Sequence, residues 1–306
     1  MAKSTTLNQG LRAFIAPKYW PTWIFIGIAY CLSFLPWKVQ RTLGTYVGRL
    51  LYKLAPRRRR ICDVNLEICY PNMPLDERNI LSKRHFESIG QGLFETMTSW
   101  FRNSDHIAKR TQFNGDEVIN EALAAGRGCL LVGAHFSPID LCGIQLARHI
   151  EVHPIYKLQS NKVINWVMER QRQRAYKKTI ERSNTREIIK SLKDNKIVWF
   201  AADQDYGRKN SVFAPFFKRE CATISHVGRI AKMSKAPIVL YDYTRTESGY
   251  VLTLSHVKNV PSEDDVTNAT RLNSLFEEII EPKKEQYFWT HRRFKNQPNP
   301  EDPSPY

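Results

Sequence analysis

From residue 128 to residue 281, short apolar runs are interleaved with amphipathic stretches long enough to be helices. Strand-like segments at 128–134, 152–157, 196–202, 236–243 and 249–255 stand among helix-like segments at 138–148, 162–178, 185–193, 223–234 and 268–281. This pattern restricts the chain to an α/β domain with a mixed, largely parallel sheet flanked by helices. The chain of 306 residues has room for one such domain and an N-terminal attachment. Upstream, Ile80, Leu81, Phe86, Ile89, Leu93, Phe94, Met97 and Trp100 recur with a helical period, which predicts a packing helix over 76–101 with Asp76 as its cap.

In an open sheet of this kind, ligands gather beyond the carboxyl ends of the strands. Three strand ends carry polar groups: His135 after 128–134, Lys157 after 152–157, and Asp203, Gln204 and Asp205 after 196–202. His135 and Asp140 are five apart, so they meet only if His135 lies in a turn and Asp140 in the first turn of the next helix. Ser137 as N-cap and Pro138 as first helical residue supply such a turn. An Asp140 carboxylate accepting one ring N–H would leave the other nitrogen free to take a proton from a hydroxyl. The competing reading gives Asp140 to the helix end as a variant capping box. Asp203 and Asp205, as alternate residues, could both face the site or form a turn. Arg170 and Arg174 share a helical face, with Arg172, Lys177, Lys178 and Arg182 nearby: a solvated face, or a phosphate-binding one. The apolar stretch 211–217 either lines an acyl chain or folds back on the core.

Net charge is +16, and residues 1–62 hold 11 of the cations, from Lys3 to Arg57–Arg60, with no Asp or Glu. Such a balance attracts phosphates. Within this arm, 19–37 is uncharged and has Tyr19, Trp20, Trp23 and Trp37 toward its ends, as an aromatic-belted membrane anchor does. No small-x-small cleavage site follows, so the segment is expected to be retained. Eight cations between Lys38 and Arg60 place the downstream domain, residues 63–297, on the cytoplasmic side if the helix spans. Pro21 and Pro36 keep interfacial attachment open. Next to an anchor, the arginine run reads as a holder of anionic head groups rather than of nucleic acid. The Pro-rich tail 298–306 is expected to be disordered.

The six cysteines form no C-x-x-C pair and read as reduced core residues; no His/Cys set has zinc spacing, so no metal is expected. There is no Gly-x-Ser-x-Gly elbow or Gly-x4-Gly-Lys loop. What remains is base-assisted transfer between two bound substrates.

The combination of Tyr19-Trp20-Pro21-Thr22-Trp23, Asn65-Leu66-Glu67-Ile68-Cys69-Tyr70-Pro71, Glu87-Ser88-Ile89-Gly90, His135-Phe136 with Asp140, Asp203-Gln204-Asp205-Tyr206-Gly207, Glu285-Gln286-Tyr287 and His291-Arg292-Arg293-Phe294-Lys295 resembles the late acyltransferases of lipid A biosynthesis, the lauroyl acyltransferase family within the lysophospholipid acyltransferase group. The resemblance implies a glycerolipid acyltransferase-like fold with no cofactor. It implies an acyl-acyl carrier protein donor and a Kdo-modified, tetra-acylated lipid A precursor as acceptor, at the inner membrane of a Gram-negative cell. His135, oriented by Asp140, would be the general base on the acceptor's 3-hydroxyl, which would attack the thioester directly. Asn161, Arg172 and Arg174 match the family pattern and would bind acceptor, with Lys157, Asp203 and Asp205 beside them. The family carries Glu where Asp140 stands and Arg where Lys157 stands. A glycerophospholipid acyltransferase shares these features and differs in its acceptor; a membrane-tethered nucleic-acid-binding protein would explain the charge but not His135.

Overall fold

The computed structural model describes residues 10–306; residues 1–9, with Lys3 of the basic arm, lie outside the described residues. Four helices come first: α1 (Trp20–Ser33), α2 (Trp37–Leu54), α3 (Pro56–Cys69) and α4 (Leu75–Phe101). α4 begins where the sequence predicts, but Asp76 sits inside its first turn with Glu77, where the positive end of the helix dipole favours both carboxylates, and Pro74 occupies the cap position. α2 lies against α4 through Gly44, Gly48 and Gly90, and a methyl group at Gly48 would collide with the Phe86 carbonyl. α3 carries Cys62 and Leu66, both fully buried, into the main core.

Beyond a short α5 (Asp105–Ala108) come β1 (Thr111–Asn114), α6 (Asp116–Ala124), β2 (Cys129–Gly133), α7 (Ile139–Leu146), β3 (Val152–Tyr156), α8 (Lys162–Ala175), β4 (Ile180–Glu181), α9 (Thr185–Lys193) and β5 (Ile197–Ala201). A hairpin of β6 (Ser211–Phe216) and β7 (Arg219–Ile224), then α10 (His226–Ser234), β8 (Ile238–Arg245), β9 (Tyr250–His256) and α11 (Asp265–Ile280), complete the order. Seven strands form one sheet in the order β1-β9-β8-β2-β5-β3-β4. All neighbours are parallel except β8 and β9. β2 is buried along its whole length, which explains its unbroken apolar sequence. Its register with β5 pairs Gly133 with Ala201, so the chain after β2 and the chain after β5 leave the sheet side by side. β3 lies on the far side of β5, in parallel.

The structure chooses between two open alternatives in one place and departs from the sequence reading in three. The stretch 211–217 is one arm of the β6–β7 hairpin, and it folds back on the core: Asn273 of α11 donates to the Pro215 carbonyl, and Arg293 donates to the Ala222 carbonyl at 2.6 Å. The helix expected over 223–234 therefore starts only at His226. The expected membrane segment 19–37 yields only the 14 residues of α1, and among the described residues no helix is long and apolar enough to cross a membrane. The tail ends with the Tyr306 hydroxyl donating to Asn65 and accepting the Phe294 N–H, where disorder is expected from composition.

His85 on α4 is fully enclosed, and burial pushes its imidazole down to about 4. The neutral ring of the folded state binds a proton less readily than an unfolded imidazole near 6.5, so this contribution to stability is complete above that value and is lost as pH falls toward 4. The melting temperature is thus expected to fall on acidification from neutrality to about pH 5, with a shallower fall in His85→Leu. Equal slopes in both proteins would remove His85 from the account.

Candidate active site

β2, β5 and β3 end together, and a cleft of about 330 Å³ opens there, with His135, Asp140, Lys157, Gln159, Arg172, Arg182, Gln204 and Tyr206 among its lining. His135 leaves β2 through a bridge to the segment after α11. The Phe288 N–H donates to the His135 carbonyl at 3.0 Å and the Ser137 N–H to the Gln286 carbonyl at 2.8 Å. The Tyr243 hydroxyl donates to the Ala134 carbonyl and accepts the Phe136 N–H, fixing the turn from below. Ser137 does not cap α7, as its spacing suggests. Its hydroxyl is 2.7 Å from that of Ser88 and accepts from Arg245.

The carboxylate that holds His135 is Asp203, not Asp140. Nδ1 of His135 lies 2.5 Å from Oδ1 of Asp203, whose side chain is 1 % exposed. Burial pushes the Asp203 carboxyl up, but the adjoining His135, through charge and hydrogen bonds, and Arg293 outweigh it and leave the group below its usual range. Asp203 is therefore a buried anion, placed to accept the Nδ1–H and to stabilise an imidazolium. With Nδ1 so engaged, Nε2 is the ring nitrogen left to take a proton.

Asp140 stands on the first turn of α7 and lines the same cleft, but its carboxylate accepts from Thr96 at 3.0 Å and faces Arg172 at 3.8 Å. Arg172 also lies over the Tyr156 ring. The pair thus joins α4, α7 and α8 across one wall.

Three expected site residues are employed elsewhere. Asp205 binds the Asn296 side chain and backbone and the Gly207 N–H, and its own N–H donates to Nε2 of His291 at 3.1 Å: this is the turn-forming alternative, and it clamps the 291–297 segment behind the site. Asn161 caps α8 by accepting from Val163 and Ile164, and reaches Thr22 of α1. Arg174 donates to Gln171 and lines a separate surface depression with Trp100 and Arg148. Lys157 and Arg172 are in the cleft. Arg182, which the sequence offers only as part of a basic run, also lines it, because β4 carries the chain back along β3. Gln159 has no sequence signal, as it belongs to the irregular stretch between β3 and α8.

Burial also pushes the His291 imidazole down to about 4, which keeps Nε2 an acceptor for the Asp205 N–H. A second cavity of about 370 Å³ shares Ile155, Arg182, Phe200 and Tyr206 with the cleft and continues over an apolar floor of Ile188, Ile224 and Ile230. Among the described residues, no group of three or more His, Cys, Asp and Glu could hold a metal ion. The six cysteines are free, and burial raises the Cys62, Cys69, Cys129, Cys142 and Cys221 thiols, so none of these five is a ready nucleophile.

A supported imidazole beside a two-lobed cleft with apolar and cationic walls is suited to moving a proton off a hydroxyl while a second substrate lies alongside. Comparison with known proteins agrees with that chemistry. The family profile described as bacterial lipid A biosynthesis acyltransferase matches residues 7–296. The lipid A biosynthesis lauroyltransferase of Escherichia coli (strain K12) is 36% identical over 298 residues, covering 96% of this chain and 97% of that protein. The palmitoleoyltransferase of the same strain is 35% identical over 290 residues, covering 94% and 95%. The myristoyltransferase is 24% identical over 301 residues, covering 96% and 93%.

Proposed function

Because the chain belongs to the bacterial lipid A biosynthesis acyltransferase family, we propose that it moves a fatty acyl chain from acyl-acyl carrier protein to the 3-hydroxyl of a hydroxyacyl chain on a Kdo-modified, tetra-acylated lipid A precursor. The observation that carries this reading is the His135–Asp203 pair at the wall of a two-lobed cleft. Nε2 of His135 takes the acceptor's hydroxyl proton as the oxygen attacks the thioester carbonyl, and the imidazolium is balanced by Asp203. The C–S bond breaks as the C–O bond completes, and the proton passes to the departing thiolate. The products are the new ester and the free thiol of the carrier's arm. No acyl-enzyme is needed. Lauroyl is the first candidate for the acyl group, on 36% identity to an enzyme named for that chain, with palmitoleoyl next at 35%. We assign the acceptor to the His135 lobe, where Lys157, Arg172 and Arg182 suit a phosphorylated head, and the acyl chain to the lobe floored by Ile188, Ile224 and Ile230. The work is done at the inner membrane, with the domain on the cytoplasmic side where the carrier is found.

The test is mass spectrometry of the Kdo-modified precursor after incubation with a mixed pool of acyl-carrier proteins. A gain of one acyl chain supports the reading and reports its length; acylation of a lysophospholipid instead would replace the acceptor. Arg172 and Arg174 separate the cleft from its surroundings. Arg172→Ala is expected to raise the acceptor KM by roughly 10- to 100-fold, the worth of a charge-assisted contact, and Arg174→Ala to leave it near the parent value. Equal effects would mean that the acceptor covers both faces of α8.

A further inference from the structure

Arg293 lies in the segment behind the site and is 2% exposed, with its guanidinium carbon 5.1 Å from the centre of the Phe216 ring. It donates to the Ala222 carbonyl at 2.6 Å, to the Thr223 hydroxyl at 2.8 Å and to the side-chain oxygen of Asn273 at 3.3 Å. All three partners are neutral, and the buried Nε–H has no partner among the described residues. Arg245, by contrast, is met by the Glu95 carboxylate at 2.6 Å. Burying a cation is costly unless a counter-charge meets it, and a neutral amide donor would serve a carbonyl or a hydroxyl as well. The hydrogen bonds therefore do not account for a charge at this place.

The surrounding groups do. Burial opposes the Arg293 charge, but Cys221, Tyr287, Asp203 and Asp205 outweigh it and hold the guanidinium above its usual range. Burial raises the Cys221 thiol and the Tyr287 phenol, so of these four only the two carboxylates are anions at neutral pH. Burial likewise keeps Cys69 of α3, Tyr206, Tyr243 of β8 and Tyr306 of the tail uncharged. His291, pushed down to about 4 by burial, is neutral too. Among these groups the standing charges are one cation, Arg293, and two carboxylates, of which Asp203 touches the His135 ring.

Two carboxylates beside an imidazole orient it, but they also stabilise the imidazolium, and a ring that already carries the proton takes none from a hydroxyl. The base needs the orienting anion without the standing proton. We propose that Arg293 is a positioning residue of the acyltransfer reaction: its buried charge, paired with no carboxylate, offsets Asp203 and Asp205, so that Asp203 stays an anion and holds Nδ1 of His135 while Nε2 stays free to act. This rests on the reading of His135 as the base, and it gives the charge of Arg293 a purpose that its neutral hydrogen-bond partners do not.

The test is the pH profile of kcat/KM for acceptor-dependent thiol release from acyl-carrier protein, measured on the full chain. Arg293→Gln removes the charge and keeps a donor. With the carboxylates unopposed the imidazolium is favoured, so the acid limb is expected to move to higher pH by about one unit. Arg293→Lys keeps the charge, and its limb is expected at the wild-type position. Thr223→Val removes one of the hydrogen bonds and leaves the charge, so it should lower the melting temperature without moving the limb. Because Arg293→Gln strips donors from buried acceptors and can cost the fold, Asn273→Asp is measured beside it. That substitution sets a carboxylate at the 3.3 Å contact, pairs off the guanidinium and should move the limb in the same direction. An unmoved limb in either folded variant, or a limb moved as far by Arg293→Lys or Thr223→Val, would leave Arg293 a structural residue and overturn the proposal. Absence of thiol release by the wild type at every pH, with the Kdo-modified precursor present, would overturn the acyltransfer reading instead.

Discussion

Asp203→Asn is expected to lower kcat by roughly 10²- to 10⁴-fold, the range that a general-base system loses when its base is no longer held and balanced. Asparagine fits the volume of the aspartate but removes the charge that balances the imidazolium, and it can present an N–H to Nδ1 in place of an acceptor. His135→Ala should lose a similar amount. Asp140→Asn should lose much less, because that carboxylate faces Thr96 and Arg172 rather than the ring. Steady-state kinetics of the three variants against one donor and one acceptor decide between the two carboxylates. If Asp140→Asn were the more damaging, the arrangement in which Asp203 orients the base would be wrong.

The second large effect concerns the support under the site. Arg245, at the end of β8, makes a two-pronged pair with Glu95 of α4, with Nε–Oε1 and Nη2–Oε2 both 2.6 Å, and the two side chains are 4% and 7% exposed. Burial disfavours the Arg245 charge, but the Glu95 carboxylate more than offsets this and holds the guanidinium above its usual range. The same guanidinium donates to Ser88 and Ser137, and Tyr250 donates to Glu95, so the network ties α4 to the sheet two residues beyond His135. Glu95→Ala leaves a buried cation without its counter-charge and is expected to cost about 3–5 kcal/mol, a large part of the roughly 5–15 kcal/mol that a domain has. Removing both charges, as in Glu95→Leu/Arg245→Met, should recover much of that loss. Urea unfolding midpoints of the parent, single and double variants measure it. A single variant no less stable than the double would mean that water reaches the pair.

Alternating periodicity makes the sheet and the convergence of three strand ends legible, and with them His135, Lys157 and Asp203, because each follows a buried apolar run. The orienting carboxylate is not legible from local spacing. His135 and Asp203 are 68 positions apart, and they meet because β2 and β5 are neighbours in register, which no local pattern states; Asp140 is near in sequence and is turned to another partner. The β6–β7 hairpin escapes for a different reason. Its turn is Phe217-Lys218, both at positive φ, where a sequence reader looks for Asn-Gly, and Pro215 argues against a strand except at a sheet position that needs no donor. The uncharged run 19–37 is legible in composition, but the helices it forms are not. The run includes the break between α1 and α2, so neither helix inherits the length that the run suggests.

The most direct test of the central claim, direct acyl transfer assisted by His135, is the rate of free carrier thiol released from acyl-carrier protein, followed with and without the lipid acceptor in the wild type and in His135→Ala. Thiol release that requires acceptor and nearly vanishes in the variant is the predicted result. A burst of thiol without acceptor would reveal an acyl-enzyme, and an undiminished rate in His135→Ala would remove the base; either would contradict the mechanism.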